Sequence, residues 1–353
     1  MSVVPRYRLS PLYNISRVIK GGWQLAGGHG PIEQQQALAD MRLYVRAGIT
    51  TFDCADIYTG VETLIGEFLH RYRDDFRSGA LPEVQIHTKY VPDLDSLSSL
   101  SKANVESIID RSLRRLGVAR LDLVQFHWWD YDIPGYVEAA NHLKELQQAG
   151  KIKHIGATNL DVPHLKELLD AGVPVVSNQV QYSVLDHRSE RGMIELCERH
   201  NISLLCYGTV AGGFLSDRYL GTPSPRPPFE NRSLTKYKLI ISDFGGWELF
   251  QKLLGILRQI ADKHGASIAA VATRYVLQKR CVAAAIVGAR HAGHLADTLR
   301  LFNFELDEED LSAIRRVTDE ATGPTGDVYS LERMKGGKHA AIMKYGLNRQ
   351  VVK

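Results

Sequence analysis

Eight short apolar runs recur along the chain, each followed by a longer stretch whose apolar residues return every three or four positions, and this alternation limits the possible folds more than any other feature. The runs are VIKGG (18–22), TTFD (50–53), VQIHTK (84–89), LDLVQFH (121–127), KIKHIGA (151–157), VVSNQV (175–180), ISLLCY (202–207) and AAAIVG (283–288). Their length and β-branched content read as strands. The stretches 33–46, 61–73, 102–116, 136–149, 161–171, 189–200 and 247–263 read as helices, with Leu38, Met41 and Val45 marking the apolar stripe of the first. Gly48, Gly117, Gly150 and Gly172 stand just past four of them, where a left-handed residue closes a helix. Helices between successive strands impose parallel pairing through right-handed crossovers. No G-x-G-x-x-G follows the first strand, which argues against an open dinucleotide-binding sheet. The expected fold is therefore α/β, a closed (β/α)8 TIM barrel. A single domain over 1–353 would carry a short N-terminal extension and a C-terminal tail over the barrel mouth.

Two stretches break the rhythm. Residues 208–246 are rich in Gly and Pro and too long for an ordinary connection, which suits a lid. The tail after about 320 follows the last unit of the repeat. A net charge of +3 without a Lys/Arg-rich run gives no nucleic-acid surface. No stretch of 18 apolar residues calls for a membrane, and no secretory h-region opens the chain. Cys54, Cys197, Cys206 and Cys281 are far apart in sequence and form no C-x-x-C pair, so neither a disulfide framework nor a metal site is expected. The expectation is a cytoplasmic protein; the composition leaves its oligomeric state open.

Barrels of this kind carry their chemistry at the C-terminal ends of the strands. Here those ends hold Asp53, Lys89, His127, Thr158 with Asn159, Gln179 and Tyr207, and Arg290 follows the last strand by a turn. Tyr58 lies five residues beyond Asp53. A phenol is too weak an acid to give up a proton readily at neutral pH, and a neighbouring ammonium such as Lys89 would lower its pKa. Asp53 would keep that lysine charged, and His127 could donate to a substrate oxygen. Taken singly, an Asp–Lys pair is often a structural ion pair and a strand-end histidine often a core group. At three neighbouring strand ends together, a proton-donating site is the better reading.

FDCADIY, IHTKY and LVQFHWW resemble the strand-two, strand-three and strand-four motifs of the aldo-keto reductases, and the similarity runs from about residue 6 to 345. The resemblance implies a catalytic tetrad of Asp53, Tyr58, Lys89 and His127, with hydride passing from NADPH to a small-molecule aldehyde or ketone and Tyr58 as general acid. IGATNL and SNQVQYS resemble segments that hold the nicotinamide carboxamide, implying Thr158, Asn159 and Gln179. LLCYGTVAGGFL resembles the strand-seven segment, implying Tyr207 stacked on the nicotinamide and Gly208, Gly212, Phe214 and Leu215 around the pyrophosphate. KGGWQL implies Gly22 and Trp23 at the ribose and pocket. IVGARHAGHLADTL implies Arg290, His294 and Thr298 at the adenosine end, where a guanidinium could fork onto the 2′-phosphate that distinguishes NADPH from NADH. Trp23, Trp128 and Trp129 would wall the substrate pocket. An alternative is a nicotinamide-binding regulatory or scaffold subunit resembling the potassium-channel β subunits. A Schiff-base role for Lys89 is disfavoured, because Asp53 would hold the amine charged.

Overall fold

The computed structural model describes residues 4–288 and 290–348. A hairpin of β1 (Arg6–Ser10) and β2 (Tyr13–Ser16) precedes the barrel strands. These are β3 (Val18–Gly21), β4 (Thr51–Asp53), β5 (Gln85–Tyr90), β6 (Leu121–Phe126), β7 (Ile152–Thr158), β8 (Val175–Gln181), β9 (Ser203–Tyr207) and β10 (Val282–Gly288). All eight pair in parallel, and β10 closes on β3 with Ala285 opposite Val18. The eight-stranded (β/α)8 barrel is thus present, its strands in sequence order. The register sets Asp53 level with His87, Lys89 with Gln125 and Thr158 with Gln179, so the polar strand ends share the upper layers of one interior.

The N-terminal extension has a definite place. Leu9, Tyr13 and Ile15 of the hairpin are buried in one cluster with Ile19, Leu123, Leu205 and Ala284, plugging the bottom of the barrel. The Tyr13 hydroxyl lies 3.1 Å from Nε2 of His87, two residues below Lys89 on β5.

The helices are α1 (Gln34–Arg46), α2 (Val61–Arg71), α3 (Arg73–Arg77), α4 (Lys102–Leu116), α5 (Tyr136–Gln148), α6 (Val162–Asp170), α7 (Met193–His200), α8 (Arg232–Phe244), α9 (Gly246–His264), α10 (Ile268–Leu277), α11 (Leu295–Arg300), α12 (Glu308–Thr318) and α13 (Ser330–Arg333). Local chemistry accounts for their limits: Ser101 and Asn104 form a capping box at the start of α4, and Gly117 ends it at φ 65°. The expected helix 61–73 breaks at Tyr72, whose φ −103°, ψ 19° separates α2 from α3. The stretch 189–200 begins in a 3-10 turn at Arg188–Glu190 and becomes α-helical only after the left-handed Gly192.

The Gly/Pro-rich segment 208–246 is not one long loop. Its second half is α8, started by the Asn231 side chain accepting from the Leu234 amide. That helix buries Leu234, Tyr237, Ile240, Ile241 and Phe244, each worth roughly 1.5–3 kcal/mol when fully removed from water, enough to seat it firmly. The tail leaves α12 with the Thr322 amide bonded to the Phe244 carbonyl and crosses the mouth through α13. It is pinned at Asn348, whose amide N–H donates to Asp93 (3.0 Å) and whose Nδ2 donates to the Val91 carbonyl (2.7 Å). Among the described residues no helix is long and apolar enough to cross a membrane.

Candidate active site

The centre of the upper layer is Lys89. Its Nζ donates to both carboxylate oxygens of Asp53 (2.8 and 2.7 Å) and to the Cys54 carbonyl (2.9 Å), and both side chains are buried. Asp53 Oδ1 also accepts from Gln125 (3.0 Å) and Gln179 (2.7 Å), and Gln179 Nε2 lies 2.8 Å from Gln125 Oε1. Burial works to lower the lysine pKa, but the Asp53 carboxylate and its hydrogen bonds prevail and hold it above the ordinary value. The ammonium is fixed as a cation.

Tyr58 lies against this pair. Lys89 Nζ is 4.9 Å from its ring centroid. The net effect on the phenol is opposite to that expected from the lysine alone. Burial raises its pKa, Asp53 adds to the rise, and Lys89 only partly opposes them, because the ammonium arrives already neutralised by Asp53. The Trp23 ring covers one side at 5.1 Å.

His127 donates from Nδ1 to the Thr158 carbonyl at 3.1 Å. A carbonyl can only accept, so Nδ1 carries the proton and Nε2, buried without a partner, is left as a lone pair in the neutral ring. Burial, with Arg333 and Lys89 nearby, pushes its pKa down to about 3, although the Thr158 bond acts the other way. In this tautomer the ring accepts rather than donates, a correction to the expected donor role. Trp129 meets it edge-on at 4.3 Å and Tyr329 of the tail at 5.6 Å. Trp128 needs correction as well: it is fully buried, its ring is packed on Phe126 and Tyr136, and its indole N–H is spent on the carbonyls of Asp130 and Ile133. Of the two tryptophans, only Trp129 flanks His127.

The carboxamide candidates lie on the neighbouring strand ends. Thr158 Oγ1 and the Asn159 amide both donate to the Gln179 carbonyl, and Asn159, held at φ 60°, accepts from the Tyr207 hydroxyl at 2.8 Å. Gly22 donates to the Asp53 carbonyl, and a Cβ there would come within 2.7 Å of that oxygen. Gly212 stands at φ 65° beside the Tyr237 ring. Phe214 and Leu215 are fully buried, and their backbone N–H groups donate within the turn to the carbonyls of Ala211 and Val210. Arg290 donates to the carbonyls of His29 and Pro31, while His29 Nε2 lies 3.1 Å from Ser233 Oγ on α8. His294 and Thr298 follow, one helical turn apart from each other, with Thr298 Oγ1 donating to the His294 carbonyl (2.9 Å). The structure thus gathers the strand-end set around Lys89 and places Arg290, His294 and Thr298 beyond the end of β10.

Several residues of the site were not expected. Gln125 is inward-facing two places before His127, so strand alternation could have revealed it. Lys236 on α8 lies 5.1 Å from the Tyr207 ring centroid and 3.3 Å from the Glu332 carboxylate. Glu332 also pairs with Arg188 (3.0 Å), and Arg188 with Asp186 (2.8 Å), all three side chains at most 1% exposed. Tyr329, Glu332 and Arg333 come from the tail, and no local pattern marks them. A separate recess of about 760 Å³, lined by Tyr131, Tyr136, His142 and His164 among others, lies on the barrel flank along α5 and α6 and holds none of the strand-end residues.

Comparison with known proteins follows from this geometry. The model of the "Aldo/keto reductase family" matches residues 17–319. The chain is 30% identical over 263 residues to flagellar radial spoke protein 5 of Chlamydomonas reinhardtii; the match takes in 64% of this chain and 49% of that protein, so it spans about half the length of this relative. It is 26% identical to the aldo-keto reductase YhdN of Bacillus subtilis, over 88% of this chain and 92% of that one. Among solved structures, the glycerol dehydrogenase of Gluconobacter oxydans superposes with a TM-score of 0.76 at 23% identity, covering 92% and 98% of the two chains. An aldo/keto reductase of Klebsiella pneumoniae in complex with NADP and acetate gives 0.67 at 22%, covering 91% and 97%.

Proposed function

Because the chain belongs to the aldo/keto reductase family, we propose that it is an NADPH-dependent oxidoreductase that reduces an aldehyde or ketone to an alcohol, with Tyr58 as proton donor. The observation that carries this reading is Lys89, fixed by both oxygens of Asp53 with its ammonium 4.9 Å from the Tyr58 ring centroid. The residues fit a nicotinamide cofactor. His127 Nε2 is a buried polar atom without a partner, and Asn159 is held left-handed beside Tyr207. Thr158, Asn159 and Gln179 would hold the carboxamide, Tyr207 would lie against the ring, Gly22 and Trp23 would meet the ribose, and Arg290, His294 and Thr298 would take the adenosine end. Relatives of the same fold solved with NADP and with NADPH support that choice.

The bound reduced nicotinamide supplies the hydride. The alkoxide formed by hydride addition is far more basic than a phenolate, so Tyr58 delivers its proton downhill even with a raised pKa. Lys89 then stabilises the phenolate through a fixed ammonium that needs no reorganisation. Trp23, Trp129 and Tyr329 turn apolar rings toward this centre and keep water from the exchange. His127, neutral with Nε2 unprotonated, can accept from the hydroxyl of the alcohol product but cannot hydrogen-bond the carbonyl oxygen of the substrate. A cytoplasmic location and a small-molecule partner accompany this reading.

The test is NADPH consumption against aromatic aldehydes, quinones and sugars, with NADH alongside. General acid catalysis is worth roughly 10²–10⁴-fold, so Tyr58→Phe should lose at least about a hundredfold in kcat while binding NADPH normally. A variant within about threefold of the native rate removes Tyr58 from this role. Tight NADPH binding without turnover of any carbonyl would instead favour a nicotinamide-binding regulatory subunit.

A further inference from the structure

We propose that Arg333, delivered by the tail, is a positioning residue: its guanidinium joins the carbonyls that follow His127 and Thr158 and thereby fixes the orientation and tautomer of the His127 imidazole. The proposal rests on the reading of the site given above. Strands β6 and β7 pair as far as Phe126 opposite Ala157, where their ladder stops. One residue further, the His127 imidazole bridges the gap through Nδ1–H to the Thr158 carbonyl. One residue further again, Arg333 Nη2 donates to the Trp128 carbonyl (2.8 Å) and Nη1 to the Asn159 carbonyl (2.9 Å). Arg333 is thus an extra rung on a ladder whose last natural rung is the histidine itself. Beyond Arg333, the two segments meet through the Tyr131 ring stacked on His164 at 3.4 Å, which leaves the backbone carbonyls themselves to the guanidinium.

An arginine suits this task. Its planar fork reaches two acceptors on different segments at once, which a lysine ammonium on a flexible stem cannot do with the same rigidity. It is placed by stacking, 4.2 Å from the Tyr131 ring centroid and 5.1 Å from that of Tyr329. No described carboxylate pairs with it, unlike Lys335 two residues on, which pairs with Asp130 and Asp132. The charge therefore remains effective toward the imidazole. The groups that face His127 are Arg333 from α13, Lys89 from β5 (itself paired with Asp53) and the aromatic edges of Trp129 and Tyr329. Both cations disfavour an imidazolium, and Arg333 is the larger of the two influences.

Nitrogen-15 NMR of histidine-labelled protein reads the tautomer directly and needs no turnover. In the native protein His127 should give a single Nδ1–H form that does not titrate from about pH 8 to 5. In Arg333→Met the two nitrogens should move toward averaged tautomers, while the ring still does not titrate in that range because its burial remains. Arg333→Lys should restore the charge but, lacking the planar fork, not the single tautomer. The corresponding kinetics are a fall of at least about tenfold in kcat for Arg333→Met, with NADPH affinity within about twofold of native and partial recovery in Arg333→Lys. A folded Arg333→Met protein that keeps the native His127 signals overturns the proposal. Should the methionine variant fail to fold, an unchanged single tautomer in Arg333→Lys does the same. The expected NMR pattern without turnover in any form upholds the role of Arg333 and rejects the carbonyl-reductase reading instead.

Discussion

Replacing Glu332 with glutamine removes one charge and almost no volume from a network that joins three separate parts of the chain. Glu332 comes from the tail, Arg188 from the turn after β8 and Lys236 from α8. Glutamine would leave the buried Arg188 facing Asp186 alone and Lys236 without its carboxylate partner. Breaking a buried, hydrogen-bonded ion pair in this way costs about 3–5 kcal/mol. The titration of Glu332 gives the same size by a separate route. Although burial opposes it, Lys236 and Arg188 hold its pKa down to about 2 against an ordinary 4.5, and a shift of that size is worth about 3 kcal/mol. A carboxylate with a depressed folded pKa contributes its stability above the unfolded value, and that contribution is lost as pH falls from about 4.5 toward 2. The native protein should therefore exceed Glu332→Gln by about 3–5 kcal/mol at pH 7 and by progressively less as the medium is acidified. With about 2.1 cal/mol/K of unfolding entropy per residue over 353 residues, the difference corresponds to a fall in Tm of about 4–7 °C. Urea unfolding at pH 7 and at pH 4, with calorimetry in parallel, makes the measurement. A loss below about 1 kcal/mol at pH 7, or one that does not shrink in acid, refutes the reasoning.

Two further outcomes follow from the cofactor end of the site. Arg290→Ala should weaken NADPH roughly 10–150-fold, the value of a charge-assisted contact, and leave NADH unchanged; equal affinity of the native protein for both cofactors in a fluorescence titration would end this assignment. Hydrogen exchange should show protection rising on NADPH binding in residues 216–231, the part of the Gly/Pro-rich segment not held by the buried face of α8, while the barrel strands change little. Identical exchange with and without cofactor would mark that segment as a fixed surface feature.

What the sequence makes legible is what rests on local pattern. Strand runs and helix stripes alternate visibly, and strand ends can be read off once a parallel barrel is assumed, so Asp53, Lys89, His127, Thr158 and Gln179 can be placed before any coordinates. Helix α10 is harder to see, since IAAVATRYVL is buried over most of its surface and shows no polar face. Helix α8 is masked by the Gly and Pro that precede it. The tail residues Tyr329, Glu332 and Arg333 are invisible to any short-range argument, because their partners Trp128, Asn159, Arg188 and Lys236 lie nearly a hundred or more positions away in the chain. The direction of the Tyr58 shift is also inaccessible: it depends on how far burial exceeds a lysine already balanced by Asp53.

The closure of β10 on β3 bears on how the molecule comes to exist. Ala285 must find Val18 across nearly the whole intervening chain, a search whose entropic penalty grows only logarithmically with length but whose rate suffers for every non-local contact it awaits. Until that seam forms, VIKG and AAAIVG present two unpaired, mostly apolar strand edges to solution, the arrangement most prone to pairing with a neighbouring chain. Trp23 follows one of these edges and Arg290 the other, so the two ends of the proposed cofactor site are separated for as long as the seam is open. Refolding yield should therefore fall steeply with protein concentration, and the recovery of nicotinamide binding should trail the recovery of helical signal.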